Sequence, residues 1–243
     1  MKGDLLIKLG GRQIETPAIC ASVIGGDVDA MATGIAKAIE QKADIVEIRL
    51  DGMRKHVGWE KLLKMDVPLI LTNRAEREGG HFKGGERTRV DHLLKGIAGG
   101  VACVDIELST SKPLLDEVIK TAKTYGTSLL MTHHDFNATP PIATLINIAE
   151  RMTGAGCDIA KIVTFAKTLR DALTVLDFLT QVPDSVAVPV IAFAMGDAGR
   201  LSRIAAPLFG SPIVYAAADE TTAPGQFDVE TTRRLLREFG LRG

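Results

Sequence analysis

One stretch reads Gly156-Cys157-Asp158-Ile159-Ala160-Lys161-Ile162-Val163-Thr164-Phe165 and places a single lysine inside a run that is otherwise typical of a buried strand. Ile162, Val163 and Phe165 are β-branched or aromatic, as in a parallel strand that is covered on both faces. Burial disfavours the ammonium form of a lysine and lowers its pKa. A lysine held partly neutral is a nucleophile that can form a Schiff base with a carbonyl substrate. This stretch alone leaves open a lysine whose stem packs while its charged head reaches water.

The composition indicates an enzyme or binding protein for small molecules. The 243 residues include 29 basic and 30 acidic side chains, so the net charge of −1 does not favour a nucleic-acid partner or an anionic membrane surface. The longest apolar run, Val186–Met195, is too short to span a bilayer, and the N-terminus lacks the apolar region of a signal peptide. Cys20, Cys103 and Cys157 are odd in number and widely separated, which is typical of buried thiols in a reducing compartment. We therefore expect a cytoplasmic protein without a membrane partner.

A strand pattern and a helix pattern alternate along the chain. Strands are predicted over Ala18–Ser22, Asp44–Arg49, Leu69–Thr72, Cys103–Glu107, Ser128–His133, Ile159–Phe165, Pro189–Ala194 and Ser211–Ala216. Helices are predicted over Val28–Gln41, Thr88–Ala98, Leu114–Tyr125, Ile142–Met152, Leu169–Leu179 and Val229–Phe239, with Asp27 and Thr139 as helix caps. Strands that alternate with helices, without a linker to divide them, favour one (β/α)8 TIM barrel over residues 1–243.

Two further features bear on this α/β fold. Residues 4–16 carry the turn glycines Gly10-Gly11 between Leu5-Leu6-Ile7 and Arg12-Gln13-Ile14 and predict a β-hairpin, which we expect to close the bottom of the barrel. The rival architecture is a doubly wound open sheet that binds a dinucleotide. Its glycine-rich turn is not found after the first strand, because Ala21–Asp27 does not follow the GxGxxG pattern.

Polar side chains collect where the predicted strands end, and the carboxyl ends of the strands form the active site of a TIM barrel. In the second strand Glu47, Arg49 and Asp51 share one face because side chains alternate. The alternative is a Glu–Arg pair that only neutralises itself. Asp105 and Glu107 end the fourth strand and can orient other groups.

The fifth strand ends in His133-His134-Asp135, the strongest companion to the lysine. Histidine can both take and give a proton near neutral pH. Adjacent side chains of a strand point to opposite faces, so we expect one histidine to face the lumen, and this alternation disfavours a shared metal ion. A purely structural histidine pair is the alternative.

Three loops complete the mouth of the predicted barrel. Arg203 lies in the first turns of a helix, where it suits a carboxylate or phosphate, although a surface arginine is the alternative. The glycine-rich loop His81–Arg87 lacks the order of a nucleotide-binding loop, and we interpret it as a mobile flap. The Pro-Gly loop Asp219–Phe227 adds hydroxyls and an amide beside the first strand.

Taken together these motifs resemble the type I 3-dehydroquinate dehydratase family, over nearly the whole chain. The matching pieces occur in order as Glu47–Asp51, Arg74–Gly80, His134–Phe136 with Thr139-Pro140, Lys161-Ile162, Met195–Arg203 and Ala223–Gln226. The resemblance implies that Lys161 forms an imine, that His134 is the general acid and base, and that Glu78 orients the histidine. The positions it implies for substrate binding are Ser22, Glu47, Ile48, Arg49, Arg74, Arg203, Thr222 and Gln226. Two departures are Thr222, where many relatives carry serine, and His133, which can perturb the pKa of His134.

The activity that the resemblance implies is dehydration of 3-dehydroquinate to 3-dehydroshikimate in the shikimate pathway, without a metal or organic cofactor, and in a homodimer. Two other functions share parts of the pattern. A class I aldolase-like barrel would use the same lysine but needs a phosphate site after the seventh and eighth strands, where Gly196 and Gly199 offer little. A barrel that only binds a carboxylated metabolite would have a lysine of ordinary pKa and would form no covalent adduct.

Overall fold

The computed structural model describes residues 6–218 and 226–241. The strands are β1 Leu6–Leu9, β2 Arg12–Glu15, β3 Ala18–Ile24, β4 Ile45–Arg49, β5 Leu69–Thr72, β6 Cys103–Glu107, β7 Ser128–His134, β8 Ile159–Phe165, β9 Val190–Met195 and β10 Ile213–Ala217. The helices are α1 Val28–Glu40, α2 Glu86–Ala98, α3 Lys112–Tyr125, α4 Ile142–Ala155, α5 Leu169–Gln181, α6 Arg200–Ala205 and α7 Val229–Glu238. Short 3₁₀ turns cover Leu50–Gly52, Trp59–Lys64, Glu76–Glu78, Val182–Asp184, Asp197–Gly199 and Ala206–Phe209. Every predicted strand and helix is confirmed, with ends that differ by a few residues.

Eight parallel strands form one sheet in the order β10-β3-β4-β5-β6-β7-β8-β9. The last strand of the barrel, β10, therefore pairs with its first strand, β3, which the two end strands of an open doubly wound sheet would not do. Within the described residues no hydrogen-bonded ladder joins β9 to β10, but the rings of Phe193 and Tyr215 face each other across this seam at 6.0 Å. The architecture is a nearly closed (β/α)8 barrel, as predicted.

Side-chain alternation separates two apolar cores. Residues such as Val46 and Leu71 face the helices and form the larger core. Residues such as Ile45 and Ile70 face the lumen and form a second core at the bottom of the barrel. Because both faces of each strand are buried, these strands are nearly continuous apolar runs until their carboxyl ends.

The N-terminal hairpin closes the bottom of the barrel, as predicted. Ile7, Leu9 and Ile14 pack against the lumen core. The backbone nitrogen of Gly10 donates to Ser128 Oγ at 2.9 Å and so ties the turn to β7. Gly10 has φ 58°, and a Cβ atom there would lie 3.1 Å from a backbone oxygen, so the turn favours glycine for two reasons.

The two predicted caps have different outcomes. Asp27 caps α1, because its carboxylate accepts from the backbone nitrogen of Ala30 at 3.0 Å. The prediction for Thr139 was wrong, since Pro141 is the residue that precedes α4. The Thr139 hydroxyl instead donates to the Phe165 carbonyl oxygen at 3.0 Å, and so fastens the loop after β7 to the end of β8. No helix in the described ranges is both long enough and apolar enough to cross a membrane.

Candidate active site

A cavity of about 230 Å³ opens at the carboxyl ends of the barrel strands. Its walls include most of the residues predicted for the site, namely Ser22, Glu47, Arg49, Arg74, Glu78, His134, Lys161, Arg203 and Gln226. Ser22, Glu47, Arg49, His134 and Lys161 lie on the strands and point into the lumen above its apolar core, whereas Arg74, Glu78, Arg203 and Gln226 come from the turns, helix and loop that follow the strands. The polar layer therefore begins where the apolar filling of the barrel ends.

Lys161 lies at the floor of the cavity and is 4% exposed. Its Nζ is 3.9 Å from Glu47 Oε1 and 3.6 Å from the centroid of the Tyr215 ring. Burial is the main cause that lowers the pKa of Lys161. The carboxylates of Glu47 and Asp105 oppose this shift, and the guanidinium of Arg74 adds to it. The alternative of a lysine with its head in water is therefore wrong.

Glu47 is a buried carboxylate with a hydrogen bond to each oxygen. Ser22 Oγ donates to Oε2 at 2.8 Å, and Thr72 Oγ1 donates to Oε1 at 2.8 Å. Burial alone would raise the pKa of Glu47, but the charges of Lys161 and Arg49 hold it below its usual value. Glu47 is thus an ionised acceptor with a fixed orientation beside the amine.

His134 is held by Glu78 through two contacts. Glu78 Oε2 lies 3.0 Å from His134 Nδ1 and accepts from the His134 backbone nitrogen at 3.0 Å, while Ser109 Oγ donates to Glu78 Oε1 at 2.5 Å. With Nδ1 directed at a carboxylate, Nε2 is the nitrogen that can take a proton from a ligand. Burial, followed by the charges of Arg74 and Lys161, places the pKa of His134 well below its usual value, so the ring is a neutral base at neutral pH.

The neighbouring His133 is outside the cavity wall, so only one of the two histidines faces the lumen, as predicted. Burial lowers the pKa of His133 as well. Its charge also contributes to the lowered pKa of His134, in the direction expected for two like charges.

Arg74 is fixed within a buried row of charges. Its guanidinium donates to Asp105 Oδ2 at 2.6 Å, to Glu107 Oε1 at 3.0 Å and to Thr132 Oγ1 at 2.6 Å. Glu107 also pairs with Arg89, which reaches it from α2. Asp105 and Glu107 therefore orient other groups, as the sequence indicated. Arg89 was missed, although an arginine on the apolar face of a helix is a signal for a buried ion pair.

Arg49 pairs with Asp51 rather than with Glu47. Two hydrogen bonds, of 2.9 Å and 2.8 Å, join the guanidinium to the carboxylate, so the alternative of a self-neutralising Glu–Arg pair is wrong. Asp51 also accepts from the backbone nitrogen of His81 at 3.1 Å, which anchors the start of the glycine-rich loop. Phe82, the next residue, is buried. The mobility of the rest of this loop stays a prediction.

Arg203 enters the cavity from α6 and is 4% exposed, so the alternative of a surface arginine is wrong. Its guanidinium carbon lies 4.6 Å from the centroid of the Phe193 ring, and burial lowers the pKa of Arg203 to about 10. Ser202 fastens the helix, because its hydroxyl donates to the Gly199 carbonyl oxygen at 2.6 Å and accepts from the Ala194 backbone nitrogen at 2.8 Å. A buried cation in this position suits an anionic substrate group.

Two of the predicted substrate-binding residues are not in the cavity wall. Ile48 is wrong as a side-chain contact, since it packs in the core between the sheet and the helices. The alternation that directs Glu47 and Arg49 into the lumen directs Ile48 away from it. Thr222 lies outside the described residues.

The aromatic and apolar part of the wall was not predicted from the sequence; it includes Val163, Phe193, Met195 and Tyr215. Val163 follows Lys161 by two residues on β8, Phe193 and Met195 are two residues apart on β9, and Tyr215 lies on β10. The alternation that places these side chains on the lumen face was the available signal. Among the described residues, no group of three His, Cys, Asp or Glu side chains is placed to hold a metal ion.

Comparison with known proteins gives the family of this chain. The family model described as type I 3-dehydroquinase matches residues 19–242. The chain belongs to the type I 3-dehydroquinase family. This confirms the resemblance found in the sequence, and it makes the chain a dehydratase of the shikimate pathway.

Individual 3-dehydroquinate dehydratases agree with this assignment. The 3-dehydroquinate dehydratase of Methanothermobacter thermautotrophicus is 38% identical over 224 residues, which cover 91% of this chain and 96% of that protein. The one from Methanococcoides burtonii is 35% identical and covers 95% of this chain and 98% of its own length. The crystal structure of the Geobacillus kaustophilus 3-dehydroquinate dehydratase superposes with a TM-score of 0.90 at 27% identity, covering 97% of this chain and 96% of that one.

Proposed function

We propose that the chain converts 3-dehydroquinate to 3-dehydroshikimate through a Schiff base on Lys161, with His134 as general acid and base. The observation that carries this proposal is that one cavity holds Lys161 and His134, two buried bases with lowered pKa values. Burial lowers the pKa of the Lys161 amine, and Glu78 holds the ring of His134 by Nδ1 so that Nε2 can act. A nucleophilic amine and an oriented base are the two groups that this reaction requires.

The first stage joins the lysine to the substrate ketone. The lone pair of Lys161 Nζ forms the carbon–nitrogen bond, and the ketone oxygen leaves as water after it has gained two protons. The product is an iminium cation, which acidifies the adjacent carbon by accepting its electrons. Glu47, at 3.9 Å from Nζ, is the carboxylate that would balance this charge.

The second stage eliminates the hydroxyl group. His134 removes a proton from the carbon beside the iminium, which gives an enamine. The protonated imidazole of His134 then donates that proton to the departing hydroxyl. Water leaves from the face of the substrate ring that lost the proton. Hydrolysis of the remaining imine by water releases the product and restores the amine. Acid–base catalysis by a positioned side chain contributes about 10²–10⁴-fold to the rate.

Substrate binding would divide between two sides of the cavity. Arg203, with Gln226, would bind the substrate carboxylate, since its buried guanidinium favours an anion. Glu47, Arg49 and Arg74 would bind the ring hydroxyls. Ser22 would act mainly through Glu47, to which its hydroxyl is bonded. Thr222 is proposed as an additional contact from the loop outside the described residues.

The test is turnover of 3-dehydroquinate, followed by ultraviolet absorption of the conjugated product. We expect Lys161→Ala to abolish turnover, and His134→Ala to lower kcat by about 10²–10⁴-fold. Lys167→Ala is the matched control, because Lys167 is an exposed lysine just beyond the end of β8. Normal turnover by Lys161→Ala would overturn the proposal. A Lys161→Ala protein that still binds substrate, together with a wild type that never turns it over, would favour a barrel that only binds a carboxylated metabolite.

The partner molecules, the cellular location and the oligomeric state of the chain are also proposals. We propose that the chain acts on a small molecule without nucleic acid, in the cytoplasm and as a homodimer. The three free cysteines are buried, which supports a reducing compartment. Two exposed leucines on α5, Leu169 and Leu173, support a contact with a second copy.

A further inference from the structure

Tyr215 is a buried residue of the cavity wall that the reaction described above does not use. It lies on β10 and is 6% exposed. Its ring reaches across the seam between β9 and β10 and covers Lys161 Nζ, which is 3.6 Å from the ring centroid. Within residues 6–218 and 226–241 its hydroxyl has no hydrogen-bond partner, so contacts of the ring rather than of the hydroxyl hold it here.

The nitrogen under this ring carries a positive charge for part of the reaction. It is an ammonium in the protonated enzyme and an iminium after attack on the ketone. A cation buried away from water needs compensation by nearby negative charge or dipoles. Glu47 Oε1, at 3.9 Å, lies beyond hydrogen-bond distance, and both of its oxygens already accept hydroxyl hydrogen bonds. The Tyr215 ring is closer to the nitrogen.

The face of an aromatic ring attracts a cation within about 6 Å of its centroid, and the attraction is greatest when both partners are shielded from water. An iminium is planar and weakly hydrated compared with an ammonium, and so it fits against a ring face. We propose that Tyr215 is a catalytic residue that stabilises the iminium on Lys161 through the face of its ring. This inference rests on the proposed Schiff-base mechanism.

The test measures the stability of the iminium directly. In a His134→Ala protein the reaction stalls before elimination, so the iminium can be trapped with borohydride at a series of 3-dehydroquinate concentrations. The concentration that gives half-maximal adduct on Lys161 reports the iminium equilibrium. In this His134→Ala protein, we expect Tyr215→Phe to keep the half-maximal concentration found with the native Tyr215, because the substitution removes only the hydroxyl. We expect Tyr215→Leu to raise the value about tenfold, the size of a shielded cation–π contact.

A second series separates the ring charge from the ring shape. Phenylalanines with one, two or three ring fluorines at position 215 keep the size of the ring but progressively weaken the negative potential of its face. The half-maximal concentration should rise with each fluorine. The same fluorinated residues at Phe178, which lies on α5 and is fully buried in the core, are the control and should have no effect.

The outcomes are distinguishable. If the His134→Ala protein with its native Tyr215 forms no adduct, the proposed function fails. If that protein forms the adduct and the fluorinated series shows no trend, the role of the ring face is wrong. A loss in Tyr215→Phe as large as that in Tyr215→Leu would also overturn the inference, since it would assign the effect to the hydroxyl.

The pH dependence of Lys161 acylation separates loss of the ring charge from damage to packing, because the two shift the pKa of Lys161 in opposite directions. Loss of the ring charge alone should lower the pKa of Lys161 further, so its amine should react with a neutral acylating reagent at lower pH. Water that enters a loosened site would hydrate the ammonium and shift the profile to higher pH. A shift to higher pH in the fluorinated series would contradict the inference.

Discussion

Lys161 and His134 are two bases whose pKa values the barrel lowers by the same means. Burial is the main cause of the lowered pKa in both, and the charge of Arg74 lowers both further. The carboxylate of Glu47 limits the shift of the lysine, whereas Glu78 fixes the orientation of the histidine. Each residue type was predictable from the sequence, because a lysine in a buried strand and a histidine at a strand end are local signals. The charged groups that surround each base were not predictable, because groups such as Glu47, Arg74 and Asp105 lie far apart in the sequence.

His92 provides a test of burial outside the active site. It stacks on His56 with ring centroids 4.5 Å apart, and burial lowers its pKa to about 4. The Asn73 amide nitrogen lies 3.0 Å from His92 Nδ1 and also donates to the Arg89 carbonyl oxygen at 3.3 Å, so Nδ1 must be an acceptor in the neutral ring. The unfolded chain binds a proton below about pH 6.5, whereas the folded chain does so only near pH 4, and stability therefore falls as the pH is lowered between these values.

We expect His92→Phe to reduce this loss of stability on acidification. At about pH 7 the variant should be less stable by about 1 kcal/mol, because it loses the hydrogen bond from Asn73. Between about pH 7 and pH 5 its free energy of unfolding should fall less than that of the wild type. Urea unfolding at both pH values measures the difference. An equal fall in the two proteins would show that His92 does not titrate as described.

At the scale of the strand and helix, the pattern of the sequence was sufficient to predict the barrel but not the contacts that its loops and its seam make. Period-2 alternation predicted which face of β4 carries Glu47 and Arg49. The role of Thr139 was not predictable, because its partner in β8 lies 26 residues away along the chain. The contact of Tyr215 with Lys161 was missed for a similar reason, since it crosses the seam of the barrel.

The turn between β9 and α6 contains a glycine, Gly199, that can be tested by substitution. Gly199 has φ −82° and ψ −14°, which alanine can adopt, but a Cβ atom there would lie 2.4 Å from the Ala194 carbonyl oxygen. We expect Gly199→Ala to lower the free energy of unfolding by about 1–3 kcal/mol. It should also raise KM, because α6 carries Arg203 into the cavity. Thermal unfolding and steady-state kinetics measure the two effects.

Gly154, in α4, is the control for this prediction. Apart from its chain neighbours and the backbone of its own helix, no described atom lies within 4 Å of a Cβ atom built on it. Gly154→Ala should leave KM unchanged and should gain up to about 1 kcal/mol from helix propensity. Equal behaviour of the two variants would mean that the close approach of α6 to β9 does not position Arg203.

At the scale of the whole molecule, we propose that residues 1–243 form one domain. The eight strands share a single sheet, and the hairpin closes its lower end. Calorimetry should therefore show one cooperative unfolding transition. Two resolved transitions would contradict a single domain.

The proposed homodimer has a candidate contact on α5. A shallow groove there is lined by Leu169, Arg170, Leu173, Thr174 and Asp177, and the two leucines are 56% and 50% exposed. In a two-fold contact centred between Leu173 and Thr174, Arg170 would face Asp177 of the second copy, and the reverse pair would also form.

We expect Leu173→Glu to shift the protein from dimer to monomer in analytical ultracentrifugation, because it places a charge at the centre of this contact. Leu208→Glu is the control, since Leu208 is 49% exposed but lies off α5. A wild type that is monomeric, or a dimer that survives Leu173→Glu, would exclude this surface.

The central claim is that Lys161 bonds covalently to the substrate. The most direct measurement is incubation with 3-dehydroquinate, reduction with borohydride, and peptide mass spectrometry. We predict that the side chain of Lys161 gains the mass of the reduced substrate without its ketone oxygen, and that the side chain of Lys167 gains none. An unmodified Lys161 in a protein that turns over its substrate would contradict the account.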